Sequence, residues 1–260
     1  MNDWTAEQLK PFGLVVTSAR QGADLHVISA TVLKQWVEDH RVIVLRGFVP
    51  LIGDELPEFC LRLGELLEWE FGTVNNLRVQ PGARNYLFTN RAVPFHWDGA
   101  FVGRIPHYIF FHCDVAPGTE SGGETLFCDT VLLLEHAPAE RRALWEEIAI
   151  TYATEKIVHY GGAFTSPMIS SHPLTGEQVL RFAEPVADLN PVRLEIKGIA
   201  VESQAEFLRD MHERLNDDAV CYRHQWQSGD VVIADNYVLL HGRAAFAQSA
   251  ERLIRRVNIL

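Results

Sequence analysis

Apolar and polar positions alternate between two periods along this chain. Arg41 to Phe48 reads Arg-Val-Ile-Val-Leu-Arg-Gly-Phe, a short β-branched run bounded by charge and glycine, which predicts a strand. From Asp54 to Trp69 the period changes. Leu56, Phe59, Leu63, Leu66 and Leu67 recur at steps of three and four, predicting an amphipathic helix packed on a sheet. Between Tyr86 and Leu180 the pattern is one of short β-like runs: Tyr86 to Thr89, His107 to Val115, Glu124 to Phe127, Ile148 to Thr154, and the run from Gln178 on through Phe182. Gly, Pro and Ser separate them, and one helical insert lies near Glu140 to Glu147. A second helix is predicted over Glu202 to Leu215, where Ser203 and Glu206 have capping-box spacing and Phe207, Leu208, Met211 and Leu215 form the apolar stripe. Three further strands are predicted within Ala219 to Trp226, Asp230 to His241 and Arg252 to Leu260. No repeat, linker or low-complexity tract interrupts them. The expected fold is mainly β with peripheral helices, a double-stranded β-helix (jelly-roll) core in a single domain over residues 1–260.

Composition narrows the class of partner. With 23 Lys and Arg against 34 Asp and Glu, the net charge of −11 repels phosphate backbones and anionic lipid surfaces. A small-molecule substrate is expected, with no nucleic acid and no membrane; self-association into a homo-oligomer is left open. The first residues lack a basic segment followed by an apolar one, and no 18 apolar residues run together, so a cytoplasmic location is expected. Cys60, Cys113, Cys128 and Cys221 are far apart, without C-x-x-C spacing, and fit buried reduced thiols.

The chemistry concentrates in Pro94-Phe95-His96-Trp97-Asp98-Gly99. An imidazole and a carboxylate two residues apart on an extended strand point to the same face and can grip one metal. His241 is the best third ligand, because it ends the apolar run Tyr237 to Leu240 and is followed by Gly242, which places it at a strand terminus. Two histidines and one carboxylate occupy one face of an octahedral ion and leave the opposite positions open, the arrangement of oxygen-activating non-heme iron(II). A zinc hydrolase could use the same set, but H-E-x-x-H with its glutamate base is absent. The non-enzyme alternative is a jelly-roll binding module whose histidines are core residues.

Arg252, Ile254 and Arg256 share one strand face, with Arg255 on the other. An arginine inside a barrel needs an anion, and a dicarboxylate cosubstrate would supply it. Period alone does not say whether Arg252 and Arg256 or Arg255 faces inward.

Taken together, His96-Trp97-Asp98, Gly122 to Phe127, Asp235-Asn236-Tyr237 leading to His241-Gly242-Arg243, and an arginine eleven positions past that histidine (252 minus 241) resemble the taurine dioxygenase-like (TauD/TfdA) family of iron(II)- and 2-oxoglutarate-dependent dioxygenases. The resemblance covers most of the chain. It implies that His96, Asp98 and His241 hold Fe(II), that Thr125 and Arg252 grip the distal carboxylate of 2-oxoglutarate, that O2 is the other cosubstrate, and that Arg256 lies near the prime substrate. It places Arg252 inside.

Tyr86 to Asn90, Val93 to Phe101, His159 to Gly162 and Leu180 to Pro185 are similar to the PvcB and IsnB subgroup, whose members act on amino-acid isonitriles. That implies desaturation of an isonitrile such as that of tyrosine, with or without loss of carbon dioxide. For such an aromatic substrate, Tyr86, Phe88, Phe101, Phe164 and Phe182 are candidates for apolar walls. Arg256 or Arg181 is a candidate for the substrate carboxylate, and His159 or Tyr160 for the phenol. Hydroxylation of a sulfonate or another small acid by the same iron core is the alternative activity.

Overall fold

The strand predictions follow directly from which face each residue must bury. A computed structural model describes residues 4–20, 22–156 and 160–260. Seven strands form the larger sheet, in the order Trp4–Gln8, Leu14–Ser18, Val42–Arg46, Val231–Asp235, Tyr108–Val115, Leu253–Ile259 and Val74–Leu77. Its pairings are antiparallel except for Leu14–Ser18 beside Val42–Arg46. The smaller sheet runs Cys221–His224, Thr125–Asp129, Leu239–Arg243 and Val93–His96, all antiparallel. The two sheets face each other as the double-stranded β-helix.

Alternation explains the layers. In Val42–Arg46, Val42 and Val44 enter the core between the sheets while Ile43 and Leu45 meet the helices Ala30–His40 and Glu55–Leu61 on the outside. In Thr125–Asp129, Phe127 joins the core between the sheets, and Leu126 and Cys128 turn to an outer layer. That layer is made by helix Gln204–Leu215, helix Ala139–Glu146 and a three-stranded sheet of Arg193–Lys197, Ala149–Thr154 and Gly162–Pro167. The four cysteines are free and buried, and no described helix is long and apolar enough to cross a membrane.

Several predicted elements change on folding. The helix expected over Asp54 to Trp69 ends at Leu61. Past it, the Leu67 N–H bonds the Asn258 carbonyl and the Leu260 N–H bonds the Glu65 carbonyl, so the chain pairs with the C-terminal strand. Leu63 and Leu67 are still buried there, but from an irregular segment. Tyr86 to Thr89 is a turn of 3-10 helix, Tyr86–Phe88, with the Asn85 side chain accepting from the Leu87 N–H. Ser203 is already helical and makes no side-chain cap, so the capping box is absent and the helix begins at Gln204. The run Asp230 to His241 is two strands, broken where Asp235 Oδ1 accepts the N–H groups of Tyr237 and Val238. Helix Thr130–His136, not predicted from the pattern, is capped by the Asp129 carboxylate on the N–H groups of Val131 and Leu132.

Candidate active site

The smaller sheet brings two histidines together. His96, the last residue of Val93–His96, is the register partner of His241 in Leu239–Arg243. Their rings lie 4.3 Å apart between centroids. His241 sits inside its strand rather than at the terminus expected for it, and Leu239, His241 and Arg243 share its inward face. Gly242, on the other face, approaches the Val93 carbonyl so closely that a Cβ would stand 2.8 Å from that oxygen. Asp98 lies two residues past the strand rather than on it, in a turn that depends on Gly99. Gly99 has φ of +93°, and a Cβ there would meet the Arg104 carbonyl at 2.3 Å. One ligand atom from each of His96, Asp98 and His241 falls within 4.8 Å of the others.

The protons in this trio suit a cation. His96 Nδ1–H donates to the Pro94 carbonyl at 2.9 Å, which leaves the Nε2 lone pair facing Asp98 at 3.8 Å. His241 Nδ1 is buried with no hydrogen-bond partner among the described residues. Burial lowers the pKa of His96 below its ordinary value and that of His241 well below it, with the Asp98 charge opposing in both. Burial would raise Asp98, but the charges of Arg256, His241 and His96 and a hydrogen bond from Asn258 prevail and hold it at about 2. At neutral pH the set is two neutral imidazoles and a carboxylate, a donor set that fits iron(II).

Asp98 is held from several directions. Arg256 Nη1 lies 2.9 Å from Oδ2, Asn258 Nδ2 donates to Oδ2 at 2.9 Å, and Asn236 clamps the Asp98 backbone through both its N–H and its carbonyl. Asn258 escaped sequence reasoning. The signal was present, because position 258 continues the inward face of Arg252, Ile254 and Arg256 by one more alternation.

Next to the trio lies a small cavity bordered by His96, His241, Thr125, Arg243, Arg252 and Arg256. Arg252 is 6% exposed, so the structure turns it inward, and Arg255 faces outward to Asp114. Arg252 Nε donates to the Gly123 carbonyl, but Nη1 is buried with no partner among the described residues. No carboxylate lies within ion-pair distance of Arg252 among the described residues. Burial and the neighbouring Arg243 charge bring its pKa down to about 9. A buried guanidinium without an anion fits a ligand carboxylate.

On the other side of His96 and Arg256 is a cavity walled by Tyr86, Trp97, Phe101, Tyr152, Tyr160 and Phe164. Trp97 packs edge-on against Tyr152 and Phe164, and Asn85, Tyr160 and Tyr86 form a chain of hydrogen bonds at 3.2 and 3.3 Å. The predicted wall is only partly correct. Phe88 and Phe182 are buried in the fold and do not line the cavity, and Leu87 takes the place expected of Phe88. Arg181, expected at the substrate carboxylate, lies against the Trp97 ring and donates to the Asn236 carbonyl, outside this cavity. His159 lies outside the described residues.

A second group of the same composition, His107, His172 and Asp235, sits elsewhere. His172 Nδ1 accepts the N–H groups of Leu174 and Thr175, both at 3.1 Å, so the hydrogen-bond network puts its proton on Nε2, facing Asp235 at 3.3 Å. No lone pair of His172 is left for an ion.

A double-stranded β-helix with an open trio of two histidines and one carboxylate at its mouth defines an iron(II)- and 2-oxoglutarate-dependent oxygenase, which uses O2 as its other cosubstrate. The chain belongs to the taurine catabolism dioxygenase TauD, TfdA family, whose model matches residues 5–258. It is 44% identical to the 3-((Z)-2-isocyanoethenyl)-1H-indole synthase of Fischerella ambigua, over 99% of this chain and 96% of that one. It is 37% identical to the tyrosine isonitrile desaturase of Pseudomonas aeruginosa, over 95% of this chain and 87% of the relative. The solved structure of PvcB, described as an Fe, alpha-ketoglutarate dependent oxygenase from an isonitrile synthetic pathway, superposes with a TM-score of 0.83 at 33% identity, covering 99% of this chain and 92% of that one.

Proposed function

We propose that this chain desaturates the isonitrile derivative of an aromatic amino acid, in the biosynthesis of an isonitrile natural product. The observation that carries the reading is the pair of cavities meeting at His96 and Arg256. One ends on Arg252, whose Nη1 has no partner among the described residues, and the other is walled by aromatic rings. His96, Asp98 and His241 hold iron in this reading, and Thr125 and Arg252 receive the distal carboxylate of 2-oxoglutarate.

When bound, iron with 2-oxoglutarate and O2 supplies the oxidant that removes a hydrogen atom from the benzylic carbon. The chain's own residues bind and orient. Trp97, Phe164 and Tyr152 hold the aromatic ring and exclude water, and Tyr86 and Tyr160 offer hydroxyls to a phenol or an indole N–H. Arg256, whose Nε is buried without a partner among the described residues, faces the substrate carboxylate while its Nη1 holds Asp98. Loss of one hydrogen from each of two adjacent carbons forms the double bond, and 2-oxoglutarate and O2 become succinate, carbon dioxide and water. In the decarboxylating variant the substrate carboxyl leaves as a second carbon dioxide in place of the α-hydrogen. A single domain over 1–260 and a cytoplasmic location belong to the same proposal, supported by the shared core and by the buried free thiols.

The test is mass spectrometry of products from iron-loaded protein with 2-oxoglutarate, O2 and either tyrosine isonitrile or tryptophan isonitrile, with taurine as control. A product lighter by two hydrogens, or by carbon dioxide plus two hydrogens, with matching succinate, is expected. Both isonitriles returning unchanged while taurine is hydroxylated would contradict the reading.

A further inference from the structure

A threonine hydroxyl has one hydrogen and two lone pairs, and which of them faces a carboxylate decides whether it attracts or repels. Thr125, β-branched and on a central strand of the smaller sheet, has a stiff side-chain rotamer, but its O–H still rotates. Among the described residues the hydroxyl makes one hydrogen bond, in which Oγ1 accepts from Trp226 Nε1 at 3.0 Å. An indole N–H can only donate, so one lone pair of Thr125 is committed to Trp226 and turned away from the cavity that Thr125 shares with Arg252.

Trp226 is built to hold that position. It is 5% exposed, and its ring stands edge-on to His224 at 4.4 Å and 90°. The turn that follows it is closed by the Asp230 N–H on the Gln227 carbonyl and by the Gln227 N–H on Asp230 Oδ2. Arg46, from the larger sheet, grips both oxygens of Asp230 at 2.8 and 2.7 Å. The indole is therefore anchored to the opposite sheet from the hydroxyl it contacts.

We propose that Trp226 is a positioning residue of the cosubstrate site, its indole N–H setting the Thr125 hydroxyl as a hydrogen-bond donor toward the distal carboxylate of 2-oxoglutarate. This rests on the reading that Thr125 and Arg252 receive that carboxylate. Trp226→Phe keeps an aromatic ring in place and removes the N–H, so the hydroxyl becomes free to present a lone pair to the anion. Thr125→Val removes the donor altogether.

The experiment is calorimetric binding to the anaerobic iron(II)-loaded protein of two ligands. One is 2-oxoglutarate; the other is oxalate, which can chelate the metal but has no distal carboxylate. Thr125→Val is expected to weaken 2-oxoglutarate by roughly ten- to a hundredfold and Trp226→Phe by about three- to tenfold, the range for a hydrogen bond to a charged group and for its partial loss. Neither variant is expected to change oxalate binding, and the double variant should bind 2-oxoglutarate no more weakly than Thr125→Val alone. Weakening of both ligands by Trp226→Phe would mean a purely structural role and overturn the proposal. So would unchanged 2-oxoglutarate binding in Trp226→Phe beside a loss in Thr125→Val. Unchanged binding in Thr125→Val would remove the cosubstrate reading itself. If Trp226→Phe fails to fold, benzothienylalanine at position 226 keeps the bicyclic shape, lacks the N–H, and must show the same split between the two ligands.

Discussion

Two trios of identical composition, His96–Asp98–His241 and His107–His172–Asp235, lie in this chain, and their side-chain atoms are similarly close. The first has a lone pair left over, since His96 donates its proton to a carbonyl and turns Nε2 to the carboxylate. In the second, two backbone N–H groups occupy the His172 lone pair, and its remaining proton faces Asp235. The carboxylates differ as well. Asp98 is held by Arg256 and Asn258 from the strand that Arg252 immediately precedes, whereas Asp235 spends its other oxygen closing the turn at Tyr237 and Val238. A metal site is thus defined by its free lone pairs and its open side, not by its list of residues.

The largest effect expected from breaking this contrast is in the first trio. His241→Ala or Asp98→Ala should abolish iron retention and turnover, read by metal analysis and succinate release. In the second trio the loss should be one of stability. Asp235→Asn is expected to cost roughly 3 kcal/mol in denaturant unfolding, as removal of one partner from a buried charged network does, with iron still bound. Next, Arg252→Gln should weaken 2-oxoglutarate on the order of a hundredfold in equilibrium binding while leaving iron in place.

The smallest effect is a pH dependence. His96, His112, His224 and His241 are all lowered by burial from the ordinary value of 6.5. The folded chain therefore binds fewer protons than the unfolded one below that value. Unfolding free energy of the metal-free protein should fall as pH drops from 6.5 toward the folded values, with no contribution from these groups above it. A chemical-denaturation series across that range checks the sign.

Much of the site was readable from the chain because its information is local. The spacing of His96 and Asp98, the His241-Gly242-Arg243 end of an apolar run and the alternation of Arg252 with Arg256 all survive folding. The inward hand of that alternation was not local. It depends on the pairing with Tyr108–Val115, whose register shifts between Leu253 and Ile254, and only the family resemblance supplied it in advance. The Trp226–Thr125 contact joins residues 101 positions apart, and no spacing rule reaches that far. Arg181 and Phe88 are kept from the substrate cavity by distant geometry: Arg181 reaches the Asn236 carbonyl, and Phe88 ends a 3-10 turn of which Tyr86 and Leu87 take the cavity wall. The long helix from Asp54 failed because the C-terminal strand competes for the backbone of Glu65 and Leu67.

Where iron binds tests the first trio as the metal site most directly. Iron per chain, measured after anaerobic loading and desalting of the unsubstituted protein, His96→Ala and His172→Ala, should be close to one, near zero and close to one. Iron retained by His96→Ala and lost from His172→Ala would place the metal in the other trio and contradict the account.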